Sequence, residues 1–338
     1  MTEQAKQRSG ILPAADCEIA AARREIARLQ QEVSSLLHSR SWQLSKPYRA
    51  LGMLAQRLLG RPPHTVEPSV PTTSRNDAAD IDPWGRWPVW TTDESFSTRR
   101  FDFVASLTRF DRHTSDDLVA ILKYRDFLQQ IYRRLLTELT PKRVLEIGFF
   151  QGGMPLFIAD MASPEKIVGI DVNPPLDSLK RIIARAGLSE SVKLYGDVMQ
   201  NDTPVIQNIL ANEFGGEPLD LIIDDCSHEY ENSKVCFEEY FGYLRPGGQY
   251  VIEDWGWLHW PGDEWQTERS IFWGKPAMTN LIFELIMALG STQPAIIERI
   301  EILTGACVVV TRGSGLAYRQ RVSLDDVRRT SGRAFQPF

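Results

Sequence analysis

RVLEIGFFQGG at residues 143–153 is a short apolar run that stops on a glycine-rich turn, and four later runs repeat its form: KIVGID (166–171), VKLYGD (192–197), LDLIIDD (219–225) and QYVIED (249–254). The apolar parts are too short for helices and rich in Val and Ile, as expected of strands buried on both faces. Between them lie helix-length stretches at 154–161, 176–186, 204–214 and 232–244. Alternation of this kind requires crossover connections, so the strands at 143–147, 166–171, 192–195, 219–224 and 249–253 run parallel, with helices on both faces. The fold is read as doubly wound α/β.

Working outward, apolar residues from Leu118 to Leu139 (Leu118, Ile121, Leu122, Phe127, Leu128, Ile131, Leu135, Leu136) predict one helix, ended by Pro141. On the other side a helix near 278–289 precedes two β-rich runs, 296–303 and 307–311, joined by a glycine-containing turn. They read as an antiparallel hairpin at the sheet edge. A mostly parallel, seven-stranded Rossmann-like sheet closed in this way resembles class I methyltransferases.

The first 82 residues have a different character. Ile19, Ala22, Ile26, Leu29, Val33 and Leu36 keep 3-4 spacing between Glu18 and His38, which predicts a short helical coiled coil and a homo-oligomer. Tyr48, Leu51, Leu54 and Leu58, flanked by Arg49 and Arg57, form a second amphipathic piece that suits peripheral contact with a membrane or with glycosyltransferases. The segment around Ser39–Pro47 resembles the linker of bacterial cell-envelope polysaccharide enzymes. Residues 61–82, with four prolines and almost no large apolar side chain, read as a flexible linker. The domains are therefore 1–60, 61–82 and 83–338.

Residues 1–75 carry 11 Lys/Arg against 6 Asp/Glu, so of the net −6 the remainder holds −11. An acidic main body lacks the basic stripe that a nucleic-acid groove needs. Cys17, Cys226, Cys236 and Cys307 have no paired short spacing, which disfavours a zinc knuckle or a disulfide framework. With no apolar stretch of spanning length and no signal-peptide core, a cytoplasmic protein is expected, at most peripheral to the membrane.

The first strand ends Glu146-Ile-Gly148-Phe-Phe-Gln-Gly152 before a helix. Glycine lets backbone approach a ligand, and the helix start offers free N–H groups. The spacing is not G-x-G-x-x-G and looks like the S-adenosylmethionine (SAM) loop. Asp171 closes the second strand, where a carboxylate can accept ribose hydroxyls, and Asp197 follows the third, where adenine is met in such enzymes. Each of these acids can also simply cap a helix. In that order Glu146, Gly148, Gly152, Asp171 and Asp197 form the expected cofactor site.

Asp224-Asp225-Cys226-Ser227-His228 and Glu253-Asp254 end neighbouring strands at one rim. Carboxylates so close together repel unless a cation sits among them, and hard oxygen donors suit Mg²⁺ or another divalent ion. The run LDLIIDDCSHEYENSKVCFEEYFGYLRPGGQYVIEDW (219–255) resembles the metal-dependent sugar O-methyltransferases of the macrocin and mycinamicin type and the cephalosporin hydroxylase/rhamnosyl O-methyltransferase group. The resemblance covers about a third of the chain and implies Asp225, Glu253 and Asp254 as metal ligands and His228 as general base. Cys226 stands where that family has Gly. Trp255, Trp257, Trp260 and Trp265, and separately Trp84, Trp87 and Trp90, suit either stacking on a saccharide or packing. The expectation is a SAM- and Mg²⁺-dependent O-methyltransferase acting on a sugar hydroxyl in cell-envelope polysaccharide or glycolipid synthesis. The alternatives are a natural-product or small hydroxylated acceptor, and a noncatalytic SAM-binding scaffold.

Overall fold

The computed structural model describes residues 87–92, 94–105, 113–304 and 306–337. The coiled coil, the basic amphipathic piece, the linker and Trp84 lie outside them. Among the described residues, no helix is long and apolar enough to cross a membrane.

Four short strands come first: β1 (Val89–Trp90), β2 (Ser95–Ser97), β3 (Asp102–Ala105) and β4 (Val119–Ile121), ordered β1-β2-β3-β4. The helix expected over 118–139 therefore begins late. Val119, Ala120 and Ile121 pair in parallel with Phe103, Val104 and Ala105, and all three are buried. Two β-branched residues in a buried ladder outweigh an apolar spacing that mimics a helix. The helix itself, α1, runs over residues 125–139 and carries a π turn at Leu128–Tyr132.

The large sheet comprises β5 (Arg143–Ile147), β6 (Lys166–Ile170), β7 (Val192–Tyr195), β8 (Leu219–Asp224), β9 (Leu244–Ile252), β10 (Ile297–Leu303) and β11 (Cys307–Arg312), in the order β10-β11-β9-β8-β5-β6-β7. β5 to β9 are parallel to one another, while β11 is antiparallel to both β9 and β10. The expected hairpin is present, with β11 inserted beside β9 and β10 outermost.

Alternate strand residues feed two cores. Leu145, Ile147, Val168, Ile170, Ile222, Tyr250 and Ile252 face α4 (Thr203–Phe214), α5 (Tyr230–Tyr240) and α7 (Thr279–Ser291). Val144, Ile167, Val192, Leu221, Ile223 and Val251 face α1, α2 (Gly153–Met161), α3 (Asp177–Arg185) and the four-stranded sheet. The helix expected at 232–244 ends at Tyr240, and a 3-10 turn, Phe241–Tyr243, leads into β9 four residues before Arg-Pro-Gly-Gly is complete. Two short helices, α6 (Asp263–Gln266) and α8 (Leu324–Val327), complete the order.

Candidate active site

Strand register brings the site together. Ile147 lies opposite both Ile170 and Asp224, and Asp224 opposite Ile252, so the next residue of each strand emerges at one level. The ladder continues past the strands: Gly148 N–H donates to Ile170 O (2.8 Å), Asp225 N–H to Ile147 O (2.9 Å) and Glu253 N–H to Asp224 O (3.0 Å). Gly148, Asp171, Asp225 and Glu253 consequently share the carboxyl rim, where open α/β sheets take ligands.

On one side of the rim is the glycine loop. Gly148 has φ +95°, and a Cβ there would sit 2.1 Å from the carbonyl oxygen of Asp225, so this glycine serves the close approach of two strand ends. Asp171 is buried and already engaged: its carboxylate accepts the N–H groups of Phe150 and Asn173, each at 2.8 Å. It ties the β5 loop to the β6 loop. Asp197 is exposed after β7, next to Asp171 through the bond from Val198 N–H to Asp171 O at 3.0 Å. Gln151 was not foreseen. Its amide accepts Thr114 N–H (2.8 Å) and meets His113 Nδ1 (2.9 Å), anchoring the approach to β4 on the glycine loop.

Glu146 is buried beneath this loop, and its Oε2 has no hydrogen-bond partner. Burial, with Asp225 nearby, holds its carboxyl well above the usual range. A buried carboxylate oxygen without a donor fits a ligand that brings one, so this side suits a cationic, hydroxyl-bearing cofactor such as SAM.

On the other side, Asp225, His228 and Asp254 each offer one ligand atom within 4.8 Å of the others. His228 and Asp254 have φ of +55° each, as strained as Phe150 (+47°) and Asp197 (+58°) on the same rim. Left-handed backbone costs a non-glycine residue about 1–2 kcal/mol. His228 Nδ1 faces the backbone oxygen of Glu253 at 3.3 Å, leaving Nε2 toward Asp225 Oδ1 at 3.9 Å. The two carboxylates are hard oxygen donors that fit Mg²⁺ or Mn²⁺, and the imidazole beside them is a base.

Glu253 is placed differently. It is 1% exposed, and both its oxygens are held by protein donors: Tyr132 OH donates to Oε1, and Lys123 Nζ lies 2.9 Å from Oε2. Burial raises its carboxyl well above the usual range, Asp225 and Asp254 adding to the shift and Lys123 opposing it. Lys123 also pairs with Asp225 Oδ2 at 2.6 Å. Neither Lys123 nor Tyr132 was legible as a site residue. Their only signals are a lysine inside the apolar run VAILKY and a tyrosine within a helix. The π turn that carries Tyr132 is a feature often found at functional sites.

Cys226 lies outside the left-handed region, so its side chain imposes no backbone strain where the family has Gly. Trp257 packs on His228 and begins an aromatic wall with Trp260, Trp265 and Phe272. Trp87 and Trp90 pack instead on Phe157 and Phe96. Of the two open readings for the early cluster, packing holds for both of these residues.

A Rossmann-like methyltransferase sheet with a glycine loop and an acidic rim is the class these features define. Residues 145–255 match the family described as "Methyltransferase domain". The chain is 46% identical over 63 residues to demethylmacrocin O-methyltransferase of Streptomyces fradiae (19% of this chain, 15% of that protein). It is 33% identical over 129 residues to L-olivosyl-oleandolide 3-O-methyltransferase of Streptomyces antibioticus (36% of this chain, 30% of that protein). It thus spans less than a third of the length of either relative. A solved structure of the MycE methyltransferase from the mycinamycin biosynthetic pathway, in complex with Mg, SAH and mycinamycin VI, aligns with TM-score 0.42 at 22% identity, covering 57% of this chain and 50% of that one.

Proposed function

We propose that this protein is a SAM-dependent O-methyltransferase that methylates a sugar hydroxyl of a glycosylated acceptor with the help of a divalent cation, Mg²⁺ by preference. The observation that carries the reading is the convergence of Asp225, His228 and Asp254 within 4.8 Å beside a glycine loop that ends on a partnerless buried Glu146 oxygen. The relatives add support, since an olivosyl compound names the substrate of one of them.

SAM supplies an electrophilic methyl group, and a divalent ion lowers the pKa of a hydroxyl bound to it. Within the chain, Glu146, Gly148, Gly152, Asp171 and Asp197 form the cofactor side. Asp225 and Asp254 are the carboxylates that would hold the ion, joined by Glu253 where Tyr132 or Lys123 gives up one of its oxygens. With Nδ1 donating to the Glu253 carbonyl, His228 keeps its lone pair on Nε2, the nitrogen facing the carboxylates. That tautomer can take the hydroxyl proton as the oxygen attacks in line. The Trp257 wall offers apolar faces to sugar C–H groups and excludes water.

An acceptor in envelope polysaccharide synthesis, a homo-oligomer and peripheral contact through residues 1–60 all rest on sequence outside the described residues. The place of action proposed for this protein is the cytoplasm. The test is methyl incorporation from SAM into a panel of glycosides, read by mass spectrometry, with and without chelator. His228→Ala should lower the rate by about 10²–10⁴ and leave ion affinity nearly unchanged. Full activity in chelator, or an unimpaired His228→Ala enzyme, refutes the mechanism.

A further inference from the structure

Lys123 stands two residues beyond β4 with its side chain 7% exposed, and its ammonium lies 2.6 Å from Asp225 Oδ2 and 2.9 Å from Glu253 Oε2. Asp225 lies 102 positions away along the chain, so the fold alone creates the pairing. Burying an ammonium without partners costs several kcal/mol. Here two carboxylates meet it within hydrogen-bond distance, so the buried lysine is a paired cation.

Lys123 thus bridges two of the rim carboxylates, Asp225 and Glu253. The oxygens are also divided: Oδ2 of Asp225 meets Lys123, while Oδ1 faces His228 Nε2 at 3.9 Å, on the side of the Asp225–His228–Asp254 group.

We propose that Lys123 is a resident counter-cation of this rim, which keeps the carboxylates assembled before a divalent ion arrives and competes with that ion for Asp225 and Glu253. It is a positioning residue, and its role rests on the reading that the ion binds at Asp225 and Asp254. Two consequences follow. Without Lys123 the ion binds more tightly, because a nearby like charge has gone. The fold then depends on the ion, because Asp225 and the buried Glu253 have lost their shared partner.

The experiment titrates the full chain with Mn²⁺, followed by electron paramagnetic resonance, and measures Tm in chelator and in Mn²⁺, without SAM or acceptor. Lys123→Met should bind Mn²⁺ roughly ten-fold or more tightly, from the loss of Coulomb repulsion at short range in a partly buried site. It should also melt lower in chelator and gain more from Mn²⁺ than the wild type does. The double variant Lys123→Met/Glu253→Gln removes the lysine together with one of the carboxylates it holds and should return affinity toward the wild-type value. Equal or weaker Mn²⁺ binding by Lys123→Met, with an unchanged ion-induced shift in Tm, overturns the proposal. So does failure of both variants to fold even in Mn²⁺, which would make the lysine a packing element. A wild type that binds no Mn²⁺ while Lys123→Met does would refute the ion reading and support the counter-cation, since the ammonium would then take the ion's place.

Discussion

The imidazole of His228 lies against the indole of Trp257, with ring centroids 4.3 Å apart and planes inclined at 50°. Trp257 is itself braced by Trp265 at 5.4 Å and Phe272 at 5.9 Å. A positive-φ histidine held on one side by a backbone carbonyl and on the other by an aromatic wall has little freedom to turn. Trp257→Ala removes that wall. An aromatic pair is worth about 0.5–1.5 kcal/mol beyond its buried area, so kcat/KM should fall at least two- to ten-fold. Steady-state kinetics on a glycoside from the acceptor panel, with circular dichroism to show an intact fold, checks this; an unchanged kcat/KM would detach Trp257 from the site.

Asp171 serves two loops at once. Asp171→Ala should weaken SAM binding by about 1.5–3 kcal/mol, the range for hydrogen bonds to a charged group. It should also lower Tm, because the N–H groups of Phe150 and Asn173 lose their acceptor. Asp171→Asn, which keeps one side-chain oxygen, should fall between. Calorimetric titration with SAM separates the three proteins, and wild-type affinity in a folded Asp171→Ala would remove the residue from the cofactor site.

Gly148→Ala combines a φ of +95° with a Cβ 2.1 Å from the Asp225 carbonyl oxygen, a backbone atom that cannot turn aside. Overpacking costs about 1–3 kcal/mol and the left-handed backbone about 1–2 more. Because the displaced atom belongs to Asp225, ion affinity should fall together with Tm. A variant with wild-type Tm and Mn²⁺ binding would show that the strand ends can move apart freely.

The rim was legible because strands buried on both faces appear as unbroken Val/Ile runs, and each run stops on the residue that reaches the site: Glu146-Ile-Gly148, Asp171, Asp225 and Glu253. The sheet of β1 to β4 was not. Strands of two to four residues are too short to show a period of two, and Val119–Ile121 fell into phase with the helix that follows. Lys123 and Tyr132 were hidden for another reason. Their partners Asp225 and Glu253 lie 102 and 121 positions away, and local patterning carries no information about which buried polar groups will meet.

Glu213 provides a pH test away from the rim. Burial would raise its carboxyl pKa, but hydrogen bonds from Lys166 (2.9 Å) and Tyr195 (2.5 Å) outweigh it, and the net shift is downward. A lowered acid contributes stability above its unfolded value, here 4.5, and loses it as pH falls through the folded value. Glu213→Gln should therefore melt below the wild type by a constant margin at neutral pH. The margin should shrink only in acid, as a series of melting curves would show; a gap that widens in acid contradicts the assignment.

Tyr132 and Glu253 test whether the π turn in α1 serves the site. The phenol is fully buried and donates to Glu253 Oε1, while Lys123 holds Oε2. Tyr132→Phe keeps the ring among Phe127 and its neighbours and removes only the donor. The carboxylate oxygen left behind is buried without its donor, so the variant should lose about 1–3 kcal/mol of stability. Glu253→Gln on its own keeps an oxygen to accept from the phenol and should cost less. If the bond is the reason for the tyrosine, Tyr132→Phe should cost much less in a Glu253→Leu background, where no acceptor remains to be stranded. Denaturant titration of the four proteins gives the coupling directly. A coupling near zero would mean that Tyr132 is retained for the packing of α1, and that Glu253 is positioned by Lys123 and the backbone of β9 alone.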